Sequence, residues 1–178
     1  MTRYVVYRQT ILEPIDHLWT FIGAFVGIGI IGLFHAGSFG RVDEVFLIGS
    51  FGASAVLVFG ATNSPLAQPR NLVMGHLISA LIGVSIHKLL PDSLWLSSAL
   101  SVSLAIVGMQ ITKSLHPPGG ATALIANIGS EKIKALGYTY VLSPVMSGVL
   151  ILFVVALIVN NIPRDRKYPY RGFKKLFR

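Results

Sequence analysis

The chain has 178 residues, 53% of them hydrophobic and 12% charged, with no cysteine and a formal net charge of +8. Soluble domains carry roughly 25% charged residues, so this composition, with a mean hydropathy of +0.68, excludes an ordinary water-soluble fold. The missing cysteines exclude disulfides, thiolate metal sites and cysteine nucleophiles.

Residues 1–17 contain Arg3, Arg8, Glu13 and Asp16, and no small-residue cleavage site follows the first apolar span, so they read as a cytoplasmic or interfacial segment rather than a signal or transit peptide. The first apolar span is expected from Leu18 to Phe34. It carries Gly23 and Gly27 in a spacing that permits close helix packing in lipid, and internal packing is the favoured reading over a dimer face. Val45–Ala61 is apolar but contains Gly49-Ser50-Phe51-Gly52, a poor helix interior. Extended or broken chain is expected over Val45–Phe51 and a short helix over Ala53–Ala61. Pro65 and Pro69 then punctuate a turn. A span is expected over Asn71–Leu90, with His76 inside it and His87 at its exit, followed by a clean span over Leu94–Thr112. His116-Pro117-Pro118-Gly119-Gly120 precedes good helix formers too few to cross a bilayer about 30 Å thick, so a second short helix is expected from near Gly119. The last span is expected over Val141–Asn160.

Beyond it lie Arg164, Arg166, Lys167, Arg171, Lys174, Lys175 and Arg178 against Asp165 alone, a net +6 of the total +8. Such a cluster marks a cytoplasmic flank better than a nucleic-acid surface. Three regions follow: a segment 1–17, a transmembrane region 18–162 and a basic cytoplasmic tail 163–178. The chain reads as an all-α membrane protein with four full transmembrane helices and two short ones, in a bacterial-type inner or plasma membrane with both termini cytoplasmic.

Gly52-Ala53-Ser54-Ala55-Val56-Leu57 aligns with Gly120-Ala121-Thr122-Ala123-Leu124-Ile125, and Gly75 pairs loosely with Gly148. Each short helix lies between two full spans, so the chain reads as two three-element repeats, 18–90 and 94–160. If every element crosses, the second half is inverted relative to the first; if the short ones are re-entrant, the halves share an orientation.

Interrupted hydrophobic segments at matching positions of two halves point to a transporter's substrate site. A helix start offers free N–H groups and about +0.5 charge, so two facing starts suit a small monoanion. The candidate site is Gly52, Ala53 and Ser54 with His116, Gly119, Gly120, Ala121 and Thr122. Lys113, Gln68, Asn71 and His76 are candidates for a pathway or vestibule, although Lys113 also fits snorkelling and His76 a packed, hydrogen-bonded core residue. His116 could donate to an anion, take up a proton or cap the turn. His17, His35 and His87 read as interfacial, and Trp19, Tyr138 and Tyr140 as an aromatic belt. A carboxylate, the usual mark of a cation site, is missing from the span interiors. No cofactor or metal ligand set is expected, and no catalytic motif points to an enzyme.

His116–Leu124, Phe51–Ala55 and Ser64–Asn71 together resemble the signature blocks of the HPP family of integral membrane proteins, a likeness covering roughly residues 18–160. The resemblance implies four transmembrane helices and, through plastid and cyanobacterial members, transport of nitrite. With neither the CBS module of some bacterial relatives nor a plastid-targeting extension among these 178 residues, the expectation is a cyanobacterial-type member. The leading expectation is therefore a nitrite or related monoanion transporter or channel. The alternatives are a pore for nitrate, a weak acid or a cation, and a membrane scaffold or sensor. A homodimer or higher assembly is expected to shield two broken helices from lipid.

Overall fold

A computed structural model describes residues 13–35 and 49–170. Among them lie α1 (Pro14–His35), α2 (Gly49–Gly60), a single tight turn at Pro65–Ala67, α3 (Pro69–Leu89), α4 (Leu94–Ile111), α5 (Pro117–Ile128), the short α6 (Glu131–Ala135) and α7 (Val141–Val159). No strand occurs among the described residues. Four helices, α1, α3, α4 and α7, have 22, 21, 18 and 19 residues and are apolar enough to cross a membrane. At 1.5 Å per residue, the 12 residues of α5 reach only about 18 Å. The expected architecture of four long helices and two short ones is what the chain builds.

Local chemistry sets most boundaries. Pro14, Pro69 and Pro117 each begin a helix, where the missing N–H costs nothing. Asp16 closes the α1 start by accepting from the Glu13 amide at 3.2 Å. One boundary differs from expectation. Gly49, Ser50 and Phe51 are already helical, so α2 does not start at Ala53. Phe51 is fully buried, its ring filling the space that Gly148 of α7 leaves open, and this tertiary contact outweighs the unfavourable glycines. The rest of the expected extended stretch, Val45–Ile48, lies outside the described residues.

The helix directions follow from who touches whom. The first turn of α1, the C-terminal ends of α2 and α7 and the start of α3 meet at one end of the bundle, where Thr20 Oγ1 donates to Phe59 O and Asn160 Nδ2 to Val58 O, both at 3.0 Å. Arg70 at the start of α3 donates to Thr112 O at 2.9 Å, which places the end of α4 there too. We call this the tail face. Along α5, Gly119 lies against Gly75 of α3, and Ala123 and Ala126 against Gly83, so α5 runs parallel to α3. Along α7, Gly148 meets Phe51 and Asn160 meets Val58, so α7 runs parallel to α2.

Each short helix is thus antiparallel to the first long helix of its own half and parallel to the last long helix of the other half. α1, α2 and α3 run away from, toward and away from the tail face; α4, α5 and α7 run in the opposite senses. The helices of the second half thus run in the reverse senses of those of the first. Side chains of the two first long helices hold the short ones: Thr20 of α1 donates to Phe59 O at 3.0 Å, and Ser101 of α4 accepts from Asn127 Nδ2 at 2.8 Å.

Lipid gives apolar helices no hydrophobic reason to associate, so close packing and buried hydrogen bonds carry the assembly. Gly23 and Gly27 receive the Phe59 ring, and Gly27 also Leu152, so that pair serves internal packing as expected. A Cβ on Gly83 would lie 2.6 Å from Ala123 O and 2.9 Å from its Cα, backbone atoms that cannot step aside. Gly83→Ala is therefore expected to cost about 1–3 kcal/mol, read as a fall in the thermal unfolding midpoint in detergent. Gly29→Ala, which meets nothing within 4 Å, should change stability by less than about 0.5 kcal/mol.

Candidate functional site

The bundle interior holds a buried polar cluster of Ser54 from α2, His76 from α3, His116 at the threshold of α5 and Thr122 from α5, all fully excluded from the surface. His76 is seven residues into α3, about 10 Å from its end, so the cluster sits inside the bilayer, nearer the tail face. His116 precedes Pro117, which forbids helical backbone there, and its φ and ψ of −137° and 102° are extended. That conformation swings the imidazole away from its own helix. It makes no cap bond, which corrects the turn-capping reading, and spans instead from the tail-face turn to α2.

Four short contacts join the cluster. His116 Nδ1 lies 2.8 Å from Leu66 O, and its Nε2 lies 2.9 Å from Ser54 Oγ. Ser54 Oγ is also 2.8 Å from His76 Nε2, and His76 Nδ1 is 2.7 Å from Thr122 Oγ1. A carbonyl can only accept, so His116 Nδ1 carries hydrogen and its Nε2, in the neutral ring, must accept. Ser54 therefore donates to His116 and accepts from His76 Nε2–H, and His76 Nδ1 accepts from Thr122. The two longer alternatives, Ser54 Oγ to Ser50 O at 3.2 Å and Thr122 Oγ1 to Pro118 O at 3.4 Å, are the bonds given up. The neutral cluster has one self-consistent arrangement, running from Thr122 to Leu66.

Ser54 and Thr122 align in the sequences of the two short helices, and they lie on opposite nitrogens of one imidazole. His76 is the hydrogen-bonded core residue expected. Its ring also packs on Phe51, with centroids 5.7 Å apart, and on His116 at 5.0 Å. Beyond Phe51 lies His35, the last residue of α1, buried with its ring 6.5 Å from the Phe51 centroid. Tyr140 is buried too, donating to Thr122 O at 3.0 Å, and so leaves the expected aromatic belt.

The helix starts themselves are not the cradle expected from the sequence. Gly52, Ala53 and Ser54 lie in the body of α2, and Ala53 is exposed. At α5, Pro117 and Pro118 have no N–H, and the Gly119 amide already donates to His116 O at 2.8 Å, leaving little of the usual set of four free donors. Gly119 is packed: a Cβ there would meet Ser79 Oγ at 2.6 Å and Gly75 O at 3.0 Å. Gly120 is open by comparison, with Val102 at 3.9 Å, and Ala121 is half-buried beside it.

The vestibule candidates divide. Gln68 ties the α2–α3 turn together, donating to Thr62 O at 2.9 Å and Ser64 O at 2.8 Å and accepting from the Tyr170 amide at 3.0 Å. Asn71 donates to Leu115 O at 2.7 Å, so both brace the turns around His116. Lys113 is exposed at the tail face, with a left-handed φ of 53°.

Two features escaped the sequence. Arg166 is buried: Nε pairs with Asp16 Oδ1 at 2.8 Å, and Nη2 donates to Asp16 O and Thr20 Oγ1 at 2.7 and 2.8 Å. Tyr168 is buried beside it and donates to Ala67 O at 2.8 Å. Residues 163–170, expected in a basic tail, therefore strap the tail face next to the Leu66 turn. Spacing alone could not single out Arg166 from its basic neighbours. Ser54→Ala should cost about 1–3 kcal/mol, because it strands two buried imidazole nitrogens, while Ala53→Ser on the exposed side of α2 should be near neutral; thermal unfolding in detergent compares them.

A family model for the HPP transmembrane region matches residues 9–169. A Dictyostelium discoideum protein described only as a transmembrane protein is 51% identical over 154 residues, covering 85% of this chain and 49% of its own. A second from the same organism, described in the same words, is 47% identical over 154 residues, with 85% and 54% covered. The chain thus spans about half the length of the curated relatives it matches. No solved structure matches it. Neither relative carries an enzyme name, and their source lends no support to the bacterial membrane expected from composition. With the family match running through every long helix and both short ones, the chain belongs to the HPP family of transmembrane proteins.

Proposed function

We propose that the chain moves a small monovalent anion across the bilayer, with nitrite the specific solute, and that it does so without enzymatic chemistry. The observation that carries this reading is the convergence of Ser54 and Thr122, matching hydroxyls of two inverted halves, on one imidazole inside the membrane. Inverted repeats with interrupted helices near the midplane are the architecture of secondary transporters. The cluster offers hydroxyl and imidazole donors, and among the described residues α2 to α5 and α7 contain no Asp or Glu. A naked ion in low dielectric faces an idealised penalty on the order of 20 kcal/mol, and these donors would offset it for an anion far better than for a cation.

Orientation and assembly belong to the same proposal. The tail face carries Arg70, Lys113, Arg164, Arg166 and Lys167, against Lys88, Lys132 and Lys134 at the other end, so we place the tail face, and both termini, in the cytoplasm. Val56 of α2 is 70% exposed on a helix too short to span, and a second copy of the chain would cover it.

One observation favours a different reading, a membrane scaffold or sensor: every imidazole nitrogen in the cluster already has a protein partner. Flux decides between the two. Purified full-length chain in proteoliposomes should pass nitrite faster than nitrate, acetate or potassium, and Thr122→Val should lower the nitrite rate at least about tenfold, the effect of one lost charge-assisted bond of about 1.5 kcal/mol or more. Rates equal to protein-free vesicles for every solute would support the scaffold.

A further inference from the structure

The geometry points to a proton as the second ligand of this cluster: the Thr122–His76–Ser54–His116 chain holds one added proton, shared between two imidazoles through the Ser54 hydroxyl, and so couples proton movement to the anion. This deepens the transport reading and rests on it.

Hydrogen counting gives the mechanism. In the neutral cluster every bond points from Thr122 toward Leu66. If a proton arrives on His76 Nδ1, the ring donates to Thr122 Oγ1, and the Thr122 hydroxyl turns to Pro118 O at 3.4 Å. Nothing else need move. From there Ser54 gives its own proton to His116 Nε2 and takes the one on His76 Nε2, across 2.9 and 2.8 Å. One O–H bond breaks and one forms; His76 becomes neutral and His116 carries the charge. Both charged forms keep every polar atom of the chain bonded. A second proton would place two cations with ring centroids 5.0 Å apart in a low-dielectric interior, so the capacity is one.

The surroundings determine what must accompany that proton. α2 and the Pro65–Ala67 turn contribute no titratable side chain. From α3 the nearest cation is Arg70, engaged with Thr112 O. α4 contributes none, and Lys113 beyond it is exposed. Tyr140, just before α7, is spent on Thr122 O, His35 of α1 lies across Phe51, and the Asp16 carboxylate is held by Arg166 at the tail face. Among the described residues no carboxylate stands beside the two imidazoles to neutralise a charged ring, which assigns the counter-charge to the solute. A monoanion and one proton then cross together with no net charge.

Two measurements test this. Nitrogen-15 NMR of the histidine-labelled full chain in nanodiscs should show His116 as the Nδ1–H tautomer and His76 as the Nε2–H tautomer at alkaline pH. On acidification the two rings should convert together with uptake of one proton, and Ser54→Ala should separate their titrations. The opposite tautomers, or two independent protonations in the unaltered chain, would overturn the inference whatever the flux. In proteoliposomes, an inward nitrite gradient should bring in one proton per nitrite above the protein-free leak, at a rate unaffected by a valinomycin-set potential. Nitrite flux that is voltage-driven and proton-free would overturn the coupling while leaving transport standing. Absence of any solute flux would overturn transport and coupling together.

Discussion

Two helix backbones can touch only where side chains shrink to nothing, and the meeting of α3 with α5 is the contact on which the rest of this protein depends. Gly75, Ser79 and Gly83 recur every four residues along one face of α3, and Gly119, Ala123 and Ala126 of α5 lie against them. In lipid, where apolar burial contributes little to helix association, this approach supplies the dispersion contacts that hold a 12-residue helix inside the bundle. It also decides where the histidines go. The Cβ of His116 occupies the space a side chain at Gly75 would fill, which sets its ring over α2 and beside His76.

From that contact the polar interior follows. A buried hydroxyl or imidazole without a partner costs on the order of 1–3 kcal/mol, and the four side chains of the cluster satisfy one another in a closed line ending on the Leu66 carbonyl. The turn bearing Leu66 is held from both sides, by Gln68 and Asn71 within the bundle and by Tyr168 of the terminal strap. Arg166 fastens the strap to α1 and to the end of α2. The chain of support therefore runs from the bundle's end to the centre of the cluster. In the proposed transport cycle these groups are the two-state element: their hydrogen bonds admit two directions, and the two halves that present them are related by inversion.

Much of this was legible in the sequence, and the failures have physical causes. Composition and run length gave four long helices because hydropathy over about 20 residues is a direct reading of bilayer thickness. The glycine and proline breaks at Gly49–Gly52 and Pro117–Gly120 located the two short helices, and the match of Gly52–Leu57 with Gly120–Ile125 set Ser54 beside Thr122 in sequence. Helix propensity misplaced the start of α2, since Gly49 and Gly52 look like breakers until Phe51 is seen filling the notch at Gly148. Dipole reasoning misjudged the α5 start for a related reason: the prolines that announce the helix also remove its donors. His76 and His116 were each weighed alone, and their partnership is a long-range fact that residue spacing does not carry. The same holds for Arg166, one cation among many in a basic stretch, chosen only by Asp16 and Thr20.

The central claim is that two inverted halves close on a solute at the hydroxyl–imidazole cluster and open it to water in turn. The chain's lack of cysteine permits a direct test with single Ser54→Cys and Thr122→Cys variants, the first close to isosteric and the second smaller by a methyl group, in sealed vesicles exposed to a small water-soluble thiol reagent. The account predicts that both thiols react despite being buried in the closed form, that nitrite slows the reaction, and that a control Val56→Cys on the outer side of α2 gains no such protection. Thiols at 54 and 122 that stay inert from both sides of the membrane, or react at a rate nitrite does not alter, would contradict it.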